Sequence, residues 1–499
     1  MIELHRGDEL QLEITDAAFE GKAVARREGL VFFVENAVPG DLVTAKLLKI
    51  KKNFVEAKVV RVERPSPLRV EPRCKYFGVC GGCKWQHVDY QAQLRFKQQQ
   101  VVDSFERIGG FSNLHVLPII GADDIYFYRG KMEYSFAEKQ WLTEKPSAIA
   151  DFRVPVEENK VPTPEPEAHN SQSPIFLGLH VPQRYDKVLD INECHLQSAV
   201  SNQILNFTRD FALRNQLDVY DSDRNSGYLR FLVIRESSAV RNPVQRDKKT
   251  KEVMVNLVTF ENHPDLMKQY AAELKASVEQ VTTVVNTINS RKAQIAFGET
   301  ENVYLGNGWI HERLGNHNFT ISASSFFQTN VAQAEKLYSV AKEFGGLQST
   351  DVVFDLYSGT GSIAIFISDM VKEVVGIESV ESAIRDAEKN AQANNITNCR
   401  FLLGDLKDRL TKDTEWMSSH PKPDVLVIDP PRNGMHPKVV EEILGLAPER
   451  IVYVSCNPAT QARDVGILCT EKYQLIKLQP LDMFPHTFHI ENVALLRRI

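Results

Sequence analysis

No apolar run in this chain approaches the roughly 18–20 residues that a membrane-spanning helix requires, so no membrane association is expected. The opening stretch MIELHRGDELQLEITD lacks the apolar core of a secretory signal, and a cytoplasmic place is the expectation. Cysteine is scarce and odd in number. Seven thiols in 499 residues do not make a disulfide framework, so each must be read as a metal ligand, a nucleophile or filler. Excess positive charge is missing as well: 59 Lys and Arg stand against 65 Asp and Glu, a net charge of −6. A nucleic-acid partner would therefore have to be met by a local patch. No internal repeat at solenoid spacing is present.

What is there is a soluble globular composition, 43% apolar and 25% charged, in a chain too long for one core. Residues 9–62 alternate short β-rich runs with turn signals, and strands are expected at 10–15, 22–27, 30–35, 42–49 and 54–62. Five short strands in so few residues suggest a small closed barrel of the oligonucleotide-binding kind. Its KLLKIKKNF stretch sets Lys46, Lys49, Lys51 and Lys52 beside an aromatic, as an RNA-facing loop or a solvated hairpin tip would. A helical stretch follows near 89–108, then a mixed α+β region over 126–300. YRGKMEYSF and GYLRFLVIRES in that region offer basic and aromatic side chains to phosphates and bases, or are strands with snorkelling arginines. The polar stretches 157–173 and 237–252 read as surface insertions.

From about Ser322 apolar strands at 352–356, 373–377, 400–403, 424–428 and 450–454 alternate with helical patterns, the rhythm of a parallel sheet with crossover helices. The last two strands, near 473–479 and 492–498, are joined by too few residues for a helical crossover, so the final strand is expected to run antiparallel. DLYSGTG is a strand running into a glycine turn, where Gly359 and Gly361 allow a tight bend and close approach of a ligand. Glu378, Asp405 and Asp429 end successive strands, and carboxylates so placed converge on one crevice. No third glycine completes a dinucleotide fingerprint. That points to a single nucleoside cofactor without a pyrophosphate, S-adenosylmethionine.

Cys456 leaves the next strand into Asn-Pro, in the same crevice. A thiolate beside a methyl donor suggests addition to a carbon too weakly nucleophilic to be methylated directly, such as uracil C5, after sulfur adds to C6. Glu491, at the start of the last strand, is the candidate base for removing the C5 proton. His486 and His489 lie nearby. Towards the front, Cys74, Cys80 and Cys83 form C-x5-C-x2-C, and Cys194 follows. Four soft ligands admit zinc or a [4Fe–4S] cluster, and spacing alone does not decide.

FFQTN (326–330), DLYSGTG (355–361), IDPPR (428–432), SCNPAT (455–460) and HTFHIE (486–491) together resemble the successive motifs of the RNA uracil-5-methyltransferases. The resemblance implies Cys456 as nucleophile and Glu491 as base. It places Gln328, Tyr357, Ser362, Glu378, Asp405 and Asp429 around cofactor or target base, beside the Gly359 and Gly361 read from the turn itself; Ser362 departs from the asparagine several members carry. CKYFGVCGGCKWQH with the distant Cys194 is similar to the iron–sulfur segment of the family's 23S rRNA members, which implies a [4Fe–4S] cluster, and a TRAM barrel precedes it there too. Cys399 and Cys469 match nothing and read as packing residues.

The expectation is therefore a multidomain enzyme: a TRAM-like RNA-binding β-barrel over 1–63, a central α+β iron–sulfur domain over 64–318, and a Rossmann-like methyltransferase domain over 319–499. A helical segment over 89–110 can pack on the last of these. The substrate is RNA, with 23S rRNA ahead of tRNA, and no obligate protein partner is expected. An RNA cytosine-5-methyltransferase would use the same sulfur addition, but typically from a Thr-Cys pair and with a second cysteine after a proline, whereas Pro431-Arg432 follow Pro430 here. An amino-methyltransferase would have no use for Cys456. A non-catalytic RNA-binding assembly factor would not need the cysteine, the carboxylate and the glycine turn together.

Overall fold

The computed structural model describes residues 4–141, 174–181, 184–238, 252–412 and 421–499. The insertion expected over 157–173 lies outside the described residues, as does nearly all of 237–252.

Strands β1 (Glu9–Ala17), β2 (Ala23–Arg27), β3 (Leu30–Glu35), β4 (Leu42–Ile50) and β5 (Phe54–Arg64) close into a barrel in the order β1-β2-β3-β5-β4. Alternation along β4 explains the closure. Val43, Ala45 and Leu47 point into the core, while Lys46, Leu48 and Lys49 face solvent. The fully buried Asp41 fastens the barrel to the chain that follows. It accepts from Val38 N at 2.6 Å and Ser66 N at 2.8 Å, and Arg69 grips both of its oxygens.

Helix α1 (Tyr90–Arg107) is N-capped by Asp89, which accepts from Ala92 N at 3.1 Å. The central domain is a sheet of β6 (Lys131–Ala137), β7 (Phe176–Val181), β8 (Arg184–Asp190), β9 (Leu229–Glu236), β10 (Val253–Thr259), β11 (Thr283–Ile288) and β12 (Thr300–Leu305). Its order is β12-β11-β10-β9-β6-β7-β8, and helices α2 (Ala199–Arg214) and α3 (Pro264–Ser277) complete its core.

A hairpin of β13 (Trp309–Leu314) and β14 (His317–Ser322) comes next. Ile310, Leu314, Phe319 and Ile321 join the core of the C-terminal domain. The boundary drawn at 318/319 therefore falls inside β14, a strand whose partner β13 packs into the same core.

The C-terminal domain runs α4 (Val331–Gly345), β15 (Val352–Leu356), α5 (Ser362–Ile367), β16 (Glu373–Glu378), α6 (Glu381–Ala393), β17 (Cys399–Leu403), α7 (Leu406–Lys412), β18 (Val425–Ile428), α8 (Pro437–Leu446), β19 (Arg450–Ser455), α9 (Pro458–Glu471), β20 (Tyr473–Leu481) and β21 (Glu491–Arg498). The sheet order is β17-β16-β15-β18-β19-β21-β20. Strands β15 to β19 are parallel, and β21 is antiparallel to both neighbours, as the short final connection requires. The hairpin edge is satisfied by α6: Asn394 Oδ1 accepts from Asn318 N at 2.9 Å, and Asn390 Oδ1 from Thr320 N at 2.8 Å. Helix α1 packs on α9 and β20, burying Val101 and Phe105 in the core that holds Tyr453 and Val465. Val116 and Ile120 then bridge Leu478 and Leu481, which covers the β20 edge. Chain order reverses between β15 and β18, and open sheets of this kind bind ligands at the C-terminal ends of the strands at such a switch point.

Candidate active site

The glycine turn after β15 holds Tyr357, Gly359 and Gly361 at φ of 63°, 54° and 71°. The left-handed conformation costs an ordinary residue about 1–2 kcal/mol, so Tyr357 is a strained position. The two glycines serve different ends. A Cβ on Gly361 would stand 2.7 Å from the Phe401 ring and 2.9 Å from Ala387 Cβ, whereas a Cβ on Gly359 meets nothing within 4 Å. One glycine permits packing of the turn, and the other borders open space. Glu378 braces the turn. Its Oε2 accepts from Gly359 N at 3.1 Å, and its Oε1 from Ser379 N at 2.7 Å and Val380 N at 2.9 Å.

The FFQTN loop lies against this turn, with Thr360 Oγ1 donating to Phe326 O at 3.2 Å. Phe326 itself is 68% exposed, unusual for so large an apolar ring. Ser362 is committed to Tyr338 of α4 (Oγ to OH 2.9 Å), and Gln328 bonds the same tyrosine. Asp405 is more peripheral. It is exposed, pairs with Lys407 at 2.8 Å, and is held below the ordinary carboxylate range by that hydrogen bond.

Cys456 and Glu491 are brought together by register. Ser455 on β19 pairs with Asn492 on antiparallel β21, so the next residue of one strand and the preceding residue of the other leave the sheet side by side. Asn457 caps α9 through Ala459 N at 3.1 Å and donates to Arg432 O at 3.1 Å, which ties the cysteine turn to IDPPR. Burial pushes the Cys456 thiol up to about 12, Glu491 and Asp429 push the same way, and Arg432 opposes them. Glu491 is itself raised well above the carboxylate range by burial and by Asp429, with Arg432 again opposing. Burial also pushes Asp429 up to about 7. Asp355, in the middle of the buried β15, is pushed to about 8 by burial and then by Asp429. Its Oδ2 accepts from Ala364 N at 3.1 Å, and its Oδ1 has no partner among the described residues. His486 and His489 are both lowered to about 4, chiefly by burial, so they are neutral near pH 7.

The four front cysteines are neighbours. Burial pushes Cys80 and Cys83 up to about 12, with Cys194 and Cys74 adding to it. Among the described residues, however, no group of three or more His, Cys, Asp or Glu stands ready to hold a metal ion. The sulfurs nonetheless collect N–H donors of the kind an anionic cluster needs. Gly82 N donates to Cys80 Sγ at 3.4 Å and Gln86 Nε2 to Cys83 Sγ at 3.2 Å, while backbone N–H groups reach Cys74 and Cys194.

Two arginines offered by the sequence to phosphates are elsewhere. Arg230 and Arg235 are 3% exposed and donate to backbone carbonyls, Arg230 to Asn289, Arg291 and Ala293 and Arg235 to Ala323 and Ser325. They order loops from within and cannot touch RNA there. Sequence reasoning passed over Asp355, Tyr338 and Arg432. An acid inside the apolar run VVFDL was the available sign for the first, and the cation after Asp-Pro-Pro for the third. Tyr338 gave none. Cys399 and Cys469 pack against apolar cores, as expected of filler.

A doubly wound sheet of this order, with a glycine turn at its switch point, is that of an S-adenosylmethionine-dependent methyltransferase. Residues 247–499 match the family described as tRNA (Uracil-5-)-methyltransferase, and residues 3–60 match the TRAM domain. The chain belongs to this RNA uracil-5-methyltransferase family. It is 42% identical over 493 residues to a Porphyromonas gingivalis protein named as an uncharacterized RNA methyltransferase, covering 98% of this chain and 99% of that one. A Chlorobaculum tepidum protein of the same description is 41% identical over 500 residues, covering 100% and 98%. Among solved structures, the Pyrococcus abyssi tRNA (uracil-54, C5)-methyltransferase in complex with S-adenosyl-L-homocysteine is similar at 27% identity and a TM-score of 0.70. That match covers 98% of this chain and all of that one.

Proposed function

We propose that the protein methylates C5 of a uridine in RNA through a covalent Cys456–C6 adduct resolved by Glu491. The carrying observation is the register that sets Cys456 beside Glu491 at the crevice next to the glycine turn. S-adenosylmethionine, when bound, supplies an electrophilic methyl group on a sulfonium. In this reading the open space beside Gly359 receives it, Glu378 accepts from its ribose hydroxyls, and Asp429 contributes negative charge. In this reading the exposed Phe326 and the neighbouring Gln328 meet the flipped base.

In the reaction, Cys456, its proton released to solvent, gives the Sγ electron pair to C6, while the C5=C6 pair shifts to C4–C5 and the C4=O pair moves onto O4. C5 then takes the methyl group, whose bonding pair stays with the donor sulfur. The ionised Glu491 carboxylate removes the C5 proton, the C5=C6 bond re-forms, and the C6–S bond breaks with its pair returning to Cys456.

For the target we favour 23S rRNA, because the barrel and the cysteine segment resemble those of the family's rRNA members. tRNA is the second reading, since the similar Pyrococcus abyssi enzyme acts on tRNA uracil-54 over the whole length of the match. We also infer a [4Fe–4S] cluster on Cys74, Cys80, Cys83 and Cys194, supported by their proximity and by their N–H donors. None of the methyl-transfer steps needs its electrons. Reduced cysteines and a cytoplasmic setting go with this reading.

The test is anaerobically purified protein with labelled S-adenosylmethionine and RNA lacking 5-methyluridine, followed by nucleoside analysis and mapping, with iron and inorganic sulfide assayed on the same sample. Label in 5-methyluridine, lost in C456A, is expected. E491Q should slow product release by about 10²–10⁴-fold, the range for a general base. Label in cytidine or adenosine, or full activity of C456A, would refute the chemistry. Protein purified without iron would refute the cluster.

A further inference from the structure

Asp482–Ile490 connects β20 to β21, and Leu481 pairs with Glu491 at its base, so the geometry of this loop sets where the proposed base points. Helix α1, from the other end of the chain, reaches into it with two side chains. Lys97 Nζ donates to Asp482 Oδ1 at 2.6 Å and to Phe484 O at 3.2 Å, and neither Lys97 nor Asp482 is exposed at all. Gln93 is also fully buried. Its Oε1 accepts from His486 N at 2.9 Å, and its Nε2 donates to Trp85 O and Val88 O and meets His486 Nδ1 at 3.3 Å. Directly after Cys83, the backbone N–H groups of Lys84 and Trp85 both donate to His486 O at 2.9 Å. His486 is held at φ 66°, its ring tilted by 30° against that of Tyr126 with the centroids 4.3 Å apart. A non-glycine residue keeps that backbone only where its surroundings over-determine it.

A completely buried ion pair is a poor source of stability, because taking both charges out of water offsets their attraction. What it does supply is direction. We propose that Lys97 is a positioning residue: with Gln93 and the Lys84–Trp85 backbone it clamps the 482–490 loop so that the Glu491 carboxylate faces the C5 proton of the adduct. The inference rests on the proposed chemistry. It adds that the cysteine-bearing segment and α1 govern the elimination step rather than cofactor binding or methyl transfer.

K97M isolates the effect, and the double substitution K97M/D482L keeps it testable if a lone buried aspartate prevents folding. Both variants are compared with wild type in three measurements: S-adenosylmethionine affinity, single-turnover methyl transfer, and the amount of RNA–protein adduct that survives denaturing electrophoresis. Cofactor affinity and methyl transfer are expected within about threefold of wild type. Adduct release should slow by about 10²-fold, the cost of roughly 1 Å of misplacement, in both variants. Normal release in the double variant would overturn the proposal, since the pair would then only balance charge. Failure of both to fold would also overturn it, because the contact would be core structure. If wild type itself makes no 5-methyluridine, the chemistry fails instead, and the two failures are told apart.

Discussion

Gly359 and Gly361 sit two residues apart in the same turn and share a left-handed backbone, yet alanine should do different things to them. In G361A the left-handed conformation costs about 1–2 kcal/mol. The new methyl group at 2.7 Å from the Phe401 ring and 2.9 Å from Ala387 Cβ adds about 1–3 kcal/mol of overpacking, because Phe401 is fixed on β17 and Ala387 on α6. The lowered entropy of the unfolded chain returns about 0.4–1 kcal/mol in either variant, which leaves about 1–5 kcal/mol of stability lost in G361A. In G359A only the backbone cost, less that same return, applies. Its methyl group instead projects into the space assigned to the cofactor. There about 1–3 kcal/mol of misfit corresponds to a loss of affinity between about fivefold and 150-fold. Urea unfolding of both variants and calorimetric titration with S-adenosylmethionine read the two effects separately. Equal destabilisation of the two, with cofactor affinity of G359A unchanged, would refute the assignment of that open space.

Two other outcomes follow from the site's charges. Cys456 and Glu491 both react ionised and both are raised, so kcat/KM should climb with pH through 7–9 without levelling at the ordinary thiol value; R432M, which removes the opposing cation, should push the climb further alkaline, and a flat profile would contradict both. Asp355 is held protonated in the folded state up to about pH 8 but loses its proton near 4 when unfolded, so its contribution to stability falls as pH rises between those values. D355N should therefore gain thermal stability relative to wild type across pH 5–8, and a pH-independent difference would show that the aspartate ionises normally.

Much of this was legible because period and punctuation carried it. The barrel strands and those of the C-terminal sheet lie within two residues of where alternation and turn residues put them, and the shortness of the last connection fixed the direction of β21. Cys456, Glu491 and the glycine turn could be read because each stands at a strand end, where topology rather than side-chain detail sets position. The failures have the opposite character. GYLRFLVIRES reads the same whether its arginines snorkel or are buried, and only the carbonyls of loops 289–293 and 323–325, far along the chain, decide that Arg230 and Arg235 go inward. The β13–β14 hairpin reads as the end of the central domain until Asn390 and Asn394 of α6 are seen to complete its edge. Lys97 and Asp482 are 385 residues apart, and nothing local to either marks the pair.

The charges around the crevice also bear on the order of events. With no ligand bound, burial disfavours every ionised form that the reaction needs: the thiol of Cys456, the carboxyl of Glu491 and that of Asp429 are all raised. Arg432 opposes the shift of both Cys456 and Glu491. On the proposed chemistry, such a site would hold a poor nucleophile and a poor base until more positive charge arrives, because an opposite charge within a few ångströms favours the ionised form. A methyl donor carrying a sulfonium brings that charge; the same donor after transfer is a neutral thioether and does not. On the proposed chemistry, the burial that raises the resting thiol would tie its ionisation to the arrival of the methyl donor.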